Sequence, residues 1–155
     1  MSVTIRNLTI VIGGKTIVSH VDLDIADGER VGLIGSSGSG KSMIAKAMMG
    51  LLPATAQVSG SIEMGGRRIV GATDADIADL RGRYVGMVFQ NPAAALNPVM
   101  TVAQQIGLPL YLHYDLTAAE RAERIRVMLA KVGLDEDVLL SLIHISEPTR
   151  LLSIS

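Results

Sequence analysis

Cysteine and tryptophan are both absent from this chain of 155 residues. Without cysteine the chain has no disulfide bond, no thiolate nucleophile and no cysteine-ligated zinc site. An excess of charge of one sign is also missing, because 14 lysine and arginine residues are balanced by 15 aspartate and glutamate residues. Proteins that bind nucleic acid usually carry an excess of positive charge on one face, so we expect no nucleic-acid partner.

Long apolar runs are absent as well. No stretch approaches the roughly 20 apolar residues of a membrane-spanning helix, and the N-terminus does not have the pattern of a signal peptide. These two absences predict a cytoplasmic location. Hydrophobic residues nevertheless make up 48% of the chain, which argues against a disordered protein and is enough for one globular domain.

One segment matches the phosphate-binding pattern G-x-x-x-x-G-K-[ST] at every position. This segment, called here the phosphate loop, consists of Gly35, Ser36, Ser37, Gly38, Ser39, Gly40, Lys41 and Ser42. Its glycines allow the main chain to approach a polyphosphate closely, so that consecutive N–H groups point at the phosphate oxygens. Lys41 is placed to reach the β and γ phosphates, and the Ser42 hydroxyl can bind Mg²⁺. The loop therefore predicts a site for a nucleoside triphosphate with Mg²⁺.

Apolar patterns flank this loop and predict the elements on either side of it. Residues 31–34 are typical of a buried strand that leads into the loop, and residues 41–49 have the spacing of a helix that ends at Gly50. A second buried strand is predicted at residues 84–89, directly before Gln90. A flexible Gly/Ser linker would lack such neighbours, which disfavours an accidental match to the pattern.

Hairpins and helices are predicted around these two strands. The hairpins pair residues 3–11 with 16–25 around Gly13-Gly14, and residues 58–64 with 68–70 around Gly65-Gly66. Helices are predicted to begin after Thr73, near Thr101 and after Thr117, and the last of them to end at Gly133. The buried face of that last helix is predicted to contain Ala118, Ala122, Ile125, Leu129 and Val132.

A strand that ends in glutamine gives the chain a family resemblance. The segment Met87-Val88-Phe89-Gln90-Asn91-Pro92 resembles the Q-loop of ATP-binding cassette (ABC) proteins. The resemblance implies an α/β fold, namely a P-loop NTPase (RecA-like) core with an antiparallel β layer and the start of a helical subdomain, incomplete in this chain. It also implies that Gln90 and Lys41 are catalytic and that Gln90 offers its amide oxygen to Mg²⁺ or to the attacking water.

A finer resemblance follows the glutamine. Leu96-Asn97-Pro98, Thr101-Val102 and Gln104-Gln105-Ile106 are similar to the ATPase subunits of bacterial dipeptide, oligopeptide and nickel importers. This similarity implies an ATP-binding subunit that energises the import of peptides or nickel from the inner face of the plasma membrane. The segment from Asn91 to Thr101 would contact the membrane permease subunits, and two ATPase subunits would enclose two ATP molecules between them.

The chain departs from the family in its aromatic residues and in the motifs of the second half. No aromatic residue precedes Tyr84, so Ile12 stands where the family commonly stacks the adenine ring. We expect weaker contact with the base and looser discrimination between ATP and GTP. The signature motif, the Walker B acidic pair and the switch histidine are not found, and His144 does not fit the last of these by its context.

These departures divide the chain into a family part and a tail. Residues 1–139 are predicted to be the N-terminal part of an ABC nucleotide-binding domain, with the β layer and core in 1–90 and the helical subdomain in 91–139. Residues 140–155 are predicted to be a non-native tail. Nucleotide binding is therefore expected of this chain and turnover is not. The alternatives are a P-loop kinase or GTPase, an ABC protein that acts on DNA or ribosomes, and a non-catalytic nucleotide-binding remnant.

Overall fold

The computed structural model describes residues 1–91 and 95–142. Predictions that concern Pro92, His144 and most of the tail lie outside the described residues. The chain forms two compact units, Met1–Gly86 and the residues from Met87 onward, and each is described by itself. None of the helices in the described ranges is both long enough and apolar enough to cross a membrane.

The first unit contains a four-stranded antiparallel sheet in the order β2-β1-β3-β4. Its strands are β1 (Val3–Ile12), β2 (Lys15–Ile25), β3 (Ala56–Met64) and β4 (Arg67–Arg68). Both predicted hairpin turns are confirmed, because Gly13-Gly14 and Gly65-Gly66 join consecutive strands, but the last strand is shorter than the predicted 68–70 and covers only Arg67–Arg68. All four of these glycines have positive φ angles between 55° and 77°, the backbone that a two-residue hairpin turn requires.

One face of this sheet forms the main core of the unit. Ile5, Ile10 and Ile62 are fully buried on neighbouring strands. Two helices contribute to the same core, α1 (Lys41–Met48) through Ile44 and α2 (Asp74–Arg83) through Ile77. Burying one such aliphatic side chain contributes about 1.5–3 kcal/mol to the stability of the fold. The packing of α1 on the sheet therefore positions the helix and the loop that precedes it.

The C-terminal end of α1 and the N-terminal start of α2 both lie where the sequence predicts them. Gly50 follows α1 with a φ angle of 64°, the left-handed conformation that commonly ends a helix. At the start of α2 the Thr73 hydroxyl accepts a hydrogen bond from the Asp76 N–H at 3.3 Å, and Asp76 accepts one from the Thr73 N–H at 3.0 Å. This reciprocal pair satisfies two N–H groups that a helix leaves free at its first turn.

Two of the predicted strands are not strands in the structure, so these two predictions are wrong. Residues 31–34 and 84–89 have no strand structure, and neither segment forms a ladder with a strand of the described residues. Ile34 is 99% exposed and Val88 is 96% exposed. A strand is stabilised by hydrogen bonds to a neighbouring strand, whereas a helix makes its own hydrogen bonds, so an apolar run without a pairing strand stays extended and exposed.

The second unit is helical in its described part. It contains α3 (Val102–His113), α4 (Ala118–Lys131) and the 3₁₀ helix Glu136–Leu140. Leu110, Ile125 and Leu129 form its core. The prediction that Val132 shares the buried face of α4 is wrong, because this residue is 65% exposed. Val132 lies at the C-cap with non-helical angles, so the helical period no longer determines where its side chain points.

Two further members of the predicted α4 face are exposed as well. Ala118 and Ala122 are both exposed, although they precede Ile125 on the same side of the helix. Alanine side chains have little apolar surface to bury, so their place on this side of the helix does not require burial. Thr117 nevertheless caps the helix as predicted, with its N–H donating to Glu120 at 2.8 Å.

Candidate functional site

Gly40 fixes the conformation at the end of the phosphate loop. It is the N-cap of α1, with φ 89° and ψ 0°, and it is buried against β2. A Cβ atom at this position would lie 2.8 Å from the Ile17 carbonyl oxygen and 2.9 Å from Val18 Cγ2. Only glycine fits both the left-handed backbone and the close approach to β2, which explains the final glycine of the pattern.

The side chain of Lys41 folds over the loop from which it emerges. Its Nζ donates hydrogen bonds to the carbonyl oxygens of Gly35 and Ser36, both at 2.7 Å, and to Ser39 Oγ at 3.1 Å. The ammonium group therefore lies at the loop rather than extending into solvent. A compact positive charge is thereby held beside the main chain that the phosphates of a nucleotide would contact.

Backbone donors converge at the same place. Gly40 has no side chain that could cap α1, and no acceptor within the described part of the chain pairs with the N–H groups of Lys41 and Ser42. The next two N–H groups, of Met43 and Ile44, both donate to the Gly40 carbonyl oxygen at 2.9 and 3.0 Å. Free N–H groups at the positive end of a helix form an anion site, and Lys41 adds a full charge to it.

A cleft of about 230 Å³ lies above these donors. It is lined by Ile17, Gly38, Ser39, Gly40, Lys41, Ser42 and Met43. Ser42 lies in the first turn of α1 with an exposed side chain. Its hydroxyl oxygen is of the type that binds Mg²⁺. Among the described residues no group of three or more histidine and acidic side chains could hold a metal ion.

Two of the predicted site residues, Ile12 and Gln90, are not among the residues that line this cleft. Ile12 is half-buried at the end of β1, pairs with Lys15 and packs against the main core, and it is not among the residues that line the cleft. Gln90 lies in the second unit with an exposed side chain. The roles predicted for both residues remain predictions.

Sequence reasoning missed Ile17 as a lining residue. Ile17 lies in β2 next to the buried Val18, and it contributes to the cleft from the strand that Gly40 approaches. The available signal was the alternation of side chains along β2, since a residue next to a buried one faces the other side of the strand. That signal does not indicate which neighbour a side chain meets, so the sequence alone did not identify the contact.

Known proteins resemble this chain in sequence. The protein family described as ABC transporter matches residues 18–153. The oligopeptide transport ATP-binding protein OppD of Escherichia coli is 38% identical over 124 residues, which cover 80% of this chain and 37% of that protein. The Lactococcus lactis protein of the same name is 42% identical over 118 residues, covering 76% of this chain and 35% of that protein.

Solved structures show the same fold. The dimeric, post-hydrolysis structure of the ATP-binding cassette MJ0796 bound to ADP and Pi superposes with a TM-score of 0.79 at 26% sequence identity. The superposition covers 92% of this chain and 62% of that cassette. The chain thus spans a little over a third of the length of these sequence relatives and less than two thirds of the solved cassette.

Proposed function

The chain belongs to the ABC transporter family, and we propose that it is the nucleotide-binding part of an ATP-binding subunit that energises the import of peptides or nickel. The family match and the two relatives named as oligopeptide transport ATP-binding proteins support this proposal. The peptide relatives favour a peptide over nickel as the cargo. We place the subunit on the cytoplasmic face of the membrane, bound to permease subunits through residues 91–101.

The phosphate loop would hold the nucleotide. The free N–H groups of Lys41 and Ser42 would donate to phosphate oxygens, and the Lys41 ammonium would offset their negative charge. Ser42 would contribute its hydroxyl to Mg²⁺, and Gln90 would be the second protein ligand or the residue that orients water. When bound, Mg²⁺ neutralises the charge of the phosphates. Two such subunits would enclose two ATP molecules, as the dimeric state of the solved cassette suggests.

The observation that carries this proposal is the convergence of Lys41 with unpaired backbone donors at the start of α1. We expect Lys41→Ala to weaken ATP binding about tenfold or more, because hydrogen bonds from a charged group contribute about 1.5–3 kcal/mol each. Equilibrium titration with Mg-ATP, ADP and adenosine measures this effect. The affinity for adenosine should change little, since adenosine has no phosphate.

Lys46→Ala is the matched control, because Lys46 is a basic residue of the same helix and does not line the cleft. It should leave the affinity for ATP unchanged. Equal ATP affinities of the wild-type chain and the Lys41→Ala variant would refute the proposed nucleotide site.

A further inference from the structure

One of the contacts of Lys41 involves a residue that the phosphate-binding pattern does not specify. The pattern fixes its two outer glycines, Lys41 and Ser42, and leaves the four positions between those glycines open. Ser39 is the last of these open positions, and its side chain is exposed and lines the cleft. Its Oγ accepts a hydrogen bond from Lys41 Nζ at 3.1 Å. The pattern therefore does not account for this contact.

The geometry around the ammonium group shows what the Ser39 hydroxyl contributes. An ammonium group has three N–H donors, and Lys41 Nζ directs them to three acceptors. Two of these acceptors are the carbonyl oxygens of the consecutive residues Gly35 and Ser36, both at 2.7 Å. Two acceptors alone would let Nζ turn about the line that joins them, whereas a third acceptor prevents that rotation. The Ser39 hydroxyl therefore fixes the position of the charge.

The main chain of the loop brings the hydroxyl and the ammonium together. The Ser39 N–H donates to the Ser36 carbonyl oxygen at 3.2 Å, and the same oxygen accepts from Lys41 Nζ at 2.7 Å. One carbonyl oxygen thus holds both the backbone of Ser39 and the charged end of Lys41. The contact between the two side chains follows from this local turn and does not depend on the other unit.

Gly35 leaves room for the Ser39 hydroxyl. A Cβ atom at residue 35 would lie 2.7 Å from Ser39 Oγ, 3.5 Å from Ser39 Cβ and 3.8 Å from Lys41 Cδ. Gly35 is not among the glycines with a positive φ angle, so its backbone conformation does not require glycine. The close approach of the hydroxyl does. A side chain at residue 35 would therefore displace the Ser39 hydroxyl from its place beside Lys41.

We propose that Ser39 is a positioning residue for Lys41, and that its hydroxyl holds the ammonium group where the phosphates of a nucleotide bind. The inference rests on the proposed function, because it gives Ser39 a role in the same nucleotide site. The hydroxyl acts through the ammonium group, so its removal changes nucleotide binding only while Lys41 is present. Gly35 belongs to the same arrangement, since it makes space for the hydroxyl.

A set of single and double variants tests this dependence by equilibrium titration of the full chain with Mg-ATP. Ser39→Ala should weaken ATP binding about two- to tenfold, as expected for the loss of one hydrogen bond. In the Lys41→Ala background, Ser39→Ala should cause no further loss, because the group it positions is gone. Gly35→Ala should weaken binding in the wild-type chain but not in the Ser39→Ala background, where no Oγ meets the new Cβ.

A second test measures the contact without a nucleotide. The chain contains no cysteine, so Ser39→Cys introduces a single thiol. The rate of its reaction with iodoacetamide, measured against pH, gives the pKa of this thiol. The neighbouring ammonium should lower that pKa well below the ordinary value of about 8.5, because it stabilises the thiolate. Adding Lys41→Ala should raise the pKa again.

Ser59 supplies the matched controls. It is an exposed serine of β3 and does not line the cleft. Ser59→Ala should leave the affinity for ATP unchanged. The thiol of Ser59→Cys should have an ordinary pKa, and Lys41→Ala should not change it.

Three results would overturn the inference: no loss of ATP affinity in Ser39→Ala, an equal loss from Ser39→Ala with and without Lys41, or a thiol pKa in Ser39→Cys that Lys41→Ala does not raise. The single variant Lys41→Ala separates this failure from a failure of the proposed function. If Lys41→Ala weakens ATP binding and Ser39→Ala does not, the nucleotide site stands and the positioning role of Ser39 is wrong.

Discussion

At the scale of single residues, Gly40 is the position of the phosphate loop at which the backbone tolerates least change. A Cβ there would meet both the Ile17 carbonyl and the Val18 side chain, and the φ angle of 89° is unfavourable for any other residue. We expect Gly40→Ala to lower the free energy of local opening at the start of α1 by about 2–4 kcal/mol, because backbone strain and a steric clash add. Amide hydrogen exchange of the full chain measures this local change without a global unfolding transition.

Gly38→Ala separates strain from the clash. Gly38 has a similar φ angle of 81°, but a Cβ there would have no atom within 4 Å. Its cost should be limited to the strain of about 1–2 kcal/mol. If both variants are destabilised equally, the contact between Gly40 and β2 does not determine the shape of the loop.

The base contact is a second prediction at this scale. The family resemblance assigns it to Ile12, whereas the cleft is lined by Ile17. If Ile12 meets the base, Ile12→Tyr should raise the affinity for ATP about two- to tenfold, since stacking geometry contributes about 0.5–1.5 kcal/mol. Competition between ATP and GTP, measured for Ile12→Tyr and Ile17→Tyr, tests the assignment. A gain confined to Ile17→Tyr would contradict the role predicted for Ile12.

At the scale of elements, threonine caps determine where three helices begin. Thr73, Thr101 and Thr117 each accept a hydrogen bond from the N–H three residues later, and the side chain at that later position accepts one from the threonine N–H. These pairs are local in sequence, so they could be predicted for Thr73 and Thr117 from the residues alone. The hairpins were predictable for the same reason, because adjacent glycines supply the required turn.

The cap of α4 predicts a response to pH. Hydrogen bonds from the Thr117 hydroxyl and the Thr117 N–H lower the pKa of Glu120 below its ordinary value. A carboxylate whose pKa is lower in the folded state than in the unfolded state stabilises the fold. This contribution is fully present above the unfolded pKa of about 4.3 and is lost as the pH falls through the folded pKa. We expect the helicity of α4 to decrease on acidification below that range.

Glu120→Gln tests this response. Glutamine can still accept from the Thr117 N–H, so the helix should form, but its stability should no longer change with pH in the acid range. Circular dichroism of both proteins between neutral and acid pH makes the comparison. An identical acid profile for the wild-type chain and the variant would show that the charge of Glu120 does not stabilise α4.

The failures of prediction at this scale have a different cause. Residues 31–34 and 84–89 have the composition of buried strands, and their composition could not reveal whether a pairing strand is present. Helix starts and hairpin turns depend on near neighbours in sequence, whereas a buried strand depends on distant ones. The phosphate loop was predictable because its pattern is local, and the contact of Ile17 with the cleft was not.

At the scale of the whole molecule, the exposed apolar segments predict poor solubility. Ile34 and Val88 are almost fully exposed, and apolar segments without pairing strands are sites of aggregation. We expect the 155-residue chain to aggregate at low concentration and to unfold in urea without a cooperative transition. Light scattering and urea titration measure the two properties.

Replacing both exposed residues, as Ile34→Ser with Val88→Ser, should reduce scattering several-fold without lowering stability. Ile5→Ser is the matched control, since Ile5 is fully buried and its replacement should increase aggregation. A sharp, cooperative urea transition of the unmodified chain would count against this account.

The identity of residues 140–155 also belongs to this scale. The family match extends to residue 153 and so includes most of this segment, while the structure describes it only as far as Leu142. Its non-native origin stays a prediction. Resequencing the gene across this junction decides the question, because a reading frame that continues into a signature motif would support a foreign tail, and a true stop after Ser155 would contradict it.

The central claim is that main-chain N–H groups at the start of α1 hold the phosphates of ATP. Two-dimensional ¹H–¹⁵N spectra of the labelled chain, recorded during titration with Mg-ATP, test it most directly. We predict that the amide signals of Gly40, Lys41 and Ser42 shift most, and that adenosine does not reproduce these shifts. Saturable ATP binding that leaves these three amides unshifted would contradict the account.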